Sequence, residues 1–460
     1  MQRPILWVGA ALFLSALSLP VAGSQAAAPQ AAGPGITATE ATDVAAPPAA
    51  EAAAPAPAFD VELETQRYLA TVSGEARAKS DAYFEGGYWM LLWGTLWALA
   101  VAWVLLRFGI SARVRGWMEA RTKRRWLQNL GYAAVYLVLA TLLSLPWTLY
   151  ESFFREHQYG LSNQSFGGWL RDFSISEVVN LVLLAPALAV LYAIIRRAQR
   201  TWWVWGAGLA VVLIAFASFI APVFIQPLFN SYTPLAEGPV HEQVLSMARA
   251  NGVPADNVYV VDASRQTSRI SANVSGLGST IRISLNDNLL NQGSPEEIKA
   301  VMGHELGHYV LDHSLFLLMS FGLVFAAGFA FVHFGLKWLI ARHGERWGVR
   351  GLDDIAGLPA LIAVLSVFFF LATPVTNTIT RTAETQADIF GLNAAREPDG
   401  FATTALKLST YRKLNPSPLE EIIFFDHPSG ASRIRMSMRW KAENLSAPPP
   451  ADTTAVGMAQ

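Results

Sequence analysis

The stretch VMGHELGHYVLDHS, residues 301–314, places His304 and His308 four residues apart, with Glu305 directly after the first histidine. On a helix, residues four apart lie on one face, so the two imidazoles aim at one point and Glu305 projects beside them. Two imidazoles can hold a divalent metal, and a neighbouring carboxylate can take a proton from a water that the metal polarises. Taken alone, the same residues also fit an ordinary helix face. A catalytic metal needs a third protein ligand and keeps a fourth position open. The stretch NTITRTAETQAD, residues 377–388, offers one in Glu384. Asp388, one turn further, is placed to bond the outer nitrogen of a ligand histidine and fix its tautomer. Without the histidine pair, these two acids would read as a solvated helix face. The chain has no cysteine, so a metal must rely on His and carboxylate, and the expected cofactor is one zinc ion per chain.

These residues need elements to carry them. Ser294 as N-cap, Pro295 at N1 and Glu297 at N3 mark a helix start, and Ile298, Val301, Met302, Leu306 and Val310 continue it at helical spacing. Around this helix the chain is strongly apolar: 52% hydrophobic and only 15% charged over 460 residues, against about a quarter charged in soluble domains. Six runs are long enough to cross a bilayer: 88–106, 130–150, 178–195 (the shortest), 204–228, 315–340 and 358–378. A net charge of −1 leaves no positive field to neutralise phosphates, which excludes a general nucleic-acid binder.

Charge orients the spans. Arg107, Arg113, Arg115, Arg121, Lys123, Arg124 and Arg125 follow the first; Arg196, Arg197 and Arg200 the third; Lys337, Arg342, Arg346 and Arg350 the fifth. The loop from 151 to 177 has only Arg155 and Arg171. Basic loops favour the cytoplasm, so the polar stretches 229–314 and 379–445 belong to the other face, the periplasm if the source is a bacterium. The expected organisation is a signal peptide or anchor at 1–27, an Ala/Pro-rich tether at 28–85 and four spans within 86–228. A first catalytic segment at 229–314, two spans within 315–378, a second catalytic segment at 379–445 and a flexible tail at 446–460 complete it.

Motifs in this order resemble the type I CAAX prenyl proteases, integral-membrane zinc endopeptidases, from about Leu145 to Trp440. LPWTLYESFFREHQYGLSNQSFGGWLRD resembles a family loop between spans, IAPVFIQPLFNSYTPLAEG the entry to the catalytic domain, and VYVVDASRQTSRISANVSGLGSTIRISLNDNLL the strand pair before the metal helix. GHELGH, RTAETQAD and FFDHPSGASRIR match the metal motifs and the C-terminal His-Pro segment. The resemblance implies a polytopic α-helical membrane protein enclosing a chamber, with a split α+β zincin-like metalloprotease domain. It implies that Asn273 contacts substrate backbone, and that His427 and Arg433 lie near the metal, steadying an oxyanion or holding the site together. From the residues alone, His427 before proline reads as a surface-loop histidine. Ala272, Asn273, Val274 and Ser275 stand where the family reads more like Ser-Asn-Ala-Tyr, so preference along that strand is open.

The expected activity is hydrolysis of peptide bonds in membrane-associated or lipidated polypeptides. Alternatives are a quality-control protease of broad specificity and a non-catalytic zinc-binding scaffold, against which Glu305 argues. The partners expected are a peptide or protein substrate and the lipid bilayer; oligomeric state is not legible. Among the other residues, His313 reads as a cap of the metal helix, Asp312 as solvated and His333 as hydrogen-bonded to a neighbouring helix or to chamber water. His157, His241 and His343 receive no role, and Arg381 reads as an ion-pair partner of Asp388 or Glu384. Trp89, Trp93, Trp147, Trp202, Trp203 and Trp338 read as interfacial anchors.

Overall fold

A computed structural model describes residues 59–276 and 281–445. The expected signal segment (1–27), the beginning of the tether and the C-terminal tail (446–460) lie outside the described residues. From residue 59 onward the tether expectation is corrected. Helix α1 (Val61–Ala70) is capped by Asp60, whose side chain accepts from the Glu62 and Leu63 amides. It buries Leu69 among Leu414, Ile434 and Met438 near the C-terminus. Its few apolar residues sit among charges, so composition hides the stripe. Helix α2 (Gly74–Arg107) likewise starts well before the expected boundary.

After the short α3 (Ile110–Arg121), α4 runs from Arg125 to Gln158, passing through a π-turn at Tyr150–Phe154 just beyond Pro146. Helix α5 (Phe166–Arg197) is far longer than the apolar run at 178–195, because its first turns are polar and capped by Ser165. Helix α6 begins at Trp202, and its span runs to Leu228 through a second π-turn at Ala221–Ile225, where Pro222 interrupts the backbone ladder.

The chain then builds a four-stranded sheet with β1 (Tyr232–Pro234), α7 (Pro239–Ala250), β2 (Val258–Val261), β3 (Ala272–Ser275) and β4 (Arg282–Asn286). The strand order is β1-β2-β4-β3, with β2 parallel to β4 and both outer strands antiparallel to their neighbours. More than the expected strand pair therefore forms, and β3 lies at an edge. After α8 (Asp287–Gln292), α9 (Pro295–Val310) carries the histidine motif and begins with the Ser294–Glu297 capping box. One core joins Val274, Ile283 and Leu285 of the sheet to Ile298, Met302 and Leu306 of α9.

Helices α10 (His313–Trp347) and α11 (Leu358–Ala395) follow, then α12 (Pro398–Leu408), α13 (Pro418–Phe424) and α14 (Gly430–Asn444). With α2, α4, α5 and α6, helices α10 and α11 make six long and apolar enough to cross a membrane among the described residues. Val182, Val212, Leu323 and Phe334 are each more than 60% exposed on these spans, a placement favourable against lipid and costly against water. Trp202 departs from the interfacial expectation: it is fully buried, its ring against Phe329 and His333.

Helix α11 is one continuous element from span to metal motif, and it crosses α9 at very short range. A Cβ on Gly391 would stand 2.8 Å from the His304 amide nitrogen, and one on Gly303 would stand 2.8 Å from the Gly391 carbonyl. Gly307 meets Ala387 in the same contact. Backbone faces backbone here, so no side chain can yield. Gly391→Ala is expected to force the helices apart, at a cost of about 1–3 kcal/mol, lowering both the melting midpoint in detergent and the metal bound per chain. Gly208→Ala, at a position with open space around it, should leave both readouts unchanged.

Candidate metal centre

Helix α9 turns His304 and His308 to one face, and the close crossing lays Glu384 of α11 against them. His304 Nε2 is 3.1 Å from His308 Nε2 and 3.3 Å from Glu384 Oε2, and His308 Nε2 is 3.5 Å from Glu384 Oε1. A tetrahedral ion with bonds of ~2.0–2.1 Å to nitrogen and oxygen needs donors about 3.3 Å apart. Two imidazoles and one carboxylate thus already stand at chelating separations, and this is the group of residues that could hold a metal.

The outer atoms of these groups are engaged in turn. His304 donates from Nδ1 to Asp388 Oδ1 at 2.8 Å, which fixes the tautomer that presents Nε2 inward. Asp388 is fully buried and pairs through Oδ2 with Arg433 Nε at 2.9 Å. Arg433 also reaches Glu384 Oε2 through Nη2 at 3.3 Å. His427 Nε2 lies 3.1 Å from the same Glu384 oxygen, and its Nδ1 lies 2.9 Å from Asp426. A histidine that its own sequence neighbourhood marks as a surface-loop residue therefore faces Glu384.

The electrostatics follow from crowding. Desolvation, with the Glu384 charge adding to it, pushes Glu305 up to about 7. Burial opposes charge on His304, but hydrogen bonds to Asp388 and Glu384 outweigh it and push His304 up to about 10. Burial and the neighbouring His304 pull His308 down to about 3.

Two expectations change, those for His313 and Arg381. His313 does not cap α9, which ends at Val310; it opens α10 and is 1% exposed. Its Nδ1 is 3.0 Å from His308 Nδ1 and its Nε2 3.0 Å from Gln386 Oε1. With Nε2 of His308 turned inward, its Nδ1–H donates to His313, whose Nε2–H donates to Gln386. Gln386 escapes sequence reasoning altogether; its only signal is its place between Glu384 and Asp388. Arg381 pairs with neither acid, and instead donates to the carbonyls of Glu421 and Phe425 at the end of α13. His333 Nδ1 has no hydrogen-bond partner among the described residues. Asp312 is exposed, as expected. Asn273 stands apart on edge strand β3, its Oδ1 buried without a partner among the described residues.

The chain is similar to known proteins in sequence and in fold. Residues 234–440 match the family model described as peptidase family M48, and residues 65–231 match that described as CAAX prenyl protease N-terminal, five membrane helices. Over 336 residues the chain is 33% identical to the uncharacterized metalloprotease YhfN of Bacillus subtilis, covering 72% of this chain and 78% of that protein. It is 27% identical over 427 residues to the CAAX prenyl protease 1 homolog of Homo sapiens, covering 79% and 86%. In fold it is similar to the crystal structure of S. mikatae Ste24p, with a TM-score of 0.67, 22% identity, and coverage of 82% of this chain and 94% of that one.

The His313 contact carries its own prediction. His313→Ala is expected to weaken metal binding by roughly 10- to 100-fold, read by competition with a chromophoric chelator. Asp312→Asn, at the exposed neighbour, should leave the affinity unchanged.

Proposed function

This chain belongs to peptidase family M48 and is a multi-pass membrane metallopeptidase, and from that premise we propose that it is a zinc-dependent endopeptidase acting on membrane-associated or lipidated polypeptides. The observation that carries the zinc reading is the set of separations among His304 Nε2, His308 Nε2 and Glu384, which suits tetrahedral nitrogen and oxygen ligation. His304, His308 and Glu384 would hold the ion, which when bound supplies Lewis acidity toward a water and a peptide carbonyl.

The remaining steps belong to the side chains. Glu305, raised to about 7, can accept a proton from the attacking water and return it to the departing amine, since its affinity for protons is matched to neutral pH. His427 lies against Glu384, where a proton on its Nε2 would be offered to the developing oxyanion. Asp388 and Arg433 keep His304 and Glu384 in place. An extended substrate would add to the free edge of β3 near Asn273, pairing backbone to backbone. Such pairing makes few demands on side chains, which favours a broad, quality-control type of specificity over a single processing site. The prenylated C-a-a-X class enters through the names of the relatives and through the membrane setting.

The catalytic domain would face away from the basic loops, and in a bacterium this is the periplasm. Arg115 and Arg350 lie on two of these loops and meet Asp354 and Glu119 across them, which supports one basic end to the bundle.

Glu305→Gln should retain bound metal while kcat falls by roughly 10^2- to 10^4-fold, measured by mass spectrometry on a farnesylated C-a-a-X peptide and its unprenylated twin. Undiminished cleavage by that variant would end the proton-carrier assignment. A phosphatase fused after Asp399 should be active in a bacterial host, and an inactive fusion at normal expression would reverse the orientation.

A further inference from the structure

A buried charged cluster outside the metal centre joins the membrane helices to the strand proposed to receive substrate. Arg269 lies three residues before β3. Its Nη2 is 2.7 Å from Glu156 Oε2 and donates to the Tyr83 hydroxyl at 2.9 Å. Tyr83 in turn donates to Glu156 Oε1 at 2.7 Å, closing a triangle. Arg155 donates to the Tyr83 carbonyl and lays its guanidinium 4.1 Å from the centre of the Tyr83 ring. Gly86 leaves room for it, since a Cβ there would come 3.1 Å from Arg155 Nη2. Tyr83 belongs to α2, Arg155 and Glu156 to the end of α4, and Arg269 to the approach to β3.

The backbone around Arg269 is held as firmly as its side chain. Its carbonyl accepts from the Asn286 and Asn288 side chains at 2.8 and 3.0 Å, and Asn286 Oδ1 accepts from the Ser271 amide at 3.0 Å. Upstream, the loop between α4 and α5 pairs with the same segment. Ser162 bridges to Thr267, the Asn163 amide donates to the Gln266 carbonyl, and the Ser268 amide donates to the Leu161 carbonyl. Gln164 and Gln266 converge on one oxygen of Asp172.

Burying such charges costs desolvation, and apolar packing of the same volume often stabilises as well or better. The directional bonds of such a triangle can in addition fix one relative position of the elements they join. We infer that Glu156, Tyr83 and Arg269 form a positioning device that sets β3 relative to the membrane helices, and so sets where a paired peptide lies with respect to Glu305. This rests on the reading of β3 as the substrate strand. Arg269 and Glu156 are positioning residues, not catalytic ones.

The test uses the full chain in detergent and two peptides with the same scissile bond: one long enough to run along β3, one truncated to a single residue on that side. The wild type should favour the long peptide through KM. Equal handling of both by the wild type would defeat the strand-pairing reading itself, whatever the variants do. Given a length preference, Glu156→Gln and Arg269→Met should each raise KM for the long peptide on the order of tenfold, with metal content and the kinetics of the short peptide unchanged. An intact length preference in both variants would overturn the positioning role, as would an equal loss on both peptides, the mark of a merely structural effect. Should either variant fail to fold, Arg269→Lys keeps a cation near Glu156 but loses the fork that spans Glu156 and Tyr83. It should show a smaller loss in the same direction, and its absence would equally overturn the role.

Discussion

Two helices meeting backbone to backbone set the terms for everything else in this molecule. Gly303 and Gly307 on one side, and Ala387 and Gly391 on the other, let the motif helix and the last span approach until main-chain atoms touch. Only at that range can a glutamate of reach comparable to the imidazoles arrive within 3.5 Å of both His304 and His308. Larger residues at the crossing would hold Glu384 away from the two histidines. The packing of small residues is thus integral to the geometry of the candidate centre, although none of them belongs to its group of His304, His308 and Glu384.

Such closeness concentrates charge. Glu305, Glu384 and Asp388 crowd a volume with little water, and isolated carboxylates there would be costly. The offset comes from His304, His427 and above all Arg433, whose guanidinium touches both Glu384 and Asp388. Each histidine of the pair has a different support: Asp388 behind His304, and the neutral chain of His313 and Gln386 behind His308. One charged and one neutral backing hold both rings without adding a further buried anion beside Glu384.

Local spacing made the centre legible. His304, His308 and Glu305 follow helical period, Glu384 and Asp388 repeat it, and hydropathy locates the apolar stretch within each of the six spans. Residues whose roles depend on packing between distant segments escaped. His313 looks like a helix cap until α10 is seen to open there, and Gln386 is a neutral amide in a polar run. Arg381 sits one turn from Glu384 and still turns away to the carbonyls of α13. Helix α1 has too thin a stripe to betray itself, because its apolar partners lie more than three hundred residues away. Hydropathy windows also end where polar residues begin, so α5 reads shorter than it is.

The last span has a mechanical consequence. From Leu358 to Glu384 it is one continuous helix, with Pro374 inside it, of roughly 40 Å at the rise of an α-helix, longer than the hydrocarbon layer it crosses. Its lower end, at Leu358, Ala360 and Leu361, is buried among the other helices, and its upper end carries Glu384 beside the two histidines. A tilt of about 3° at the base swings the far end by roughly 2 Å, more than half the present gap between Glu384 and either histidine. Packing against the neighbouring spans sets such a tilt, so the fit of the bundle around the buried base bears on the geometry of the candidate centre. At that upper end Arg433 and His427 both reach Glu384.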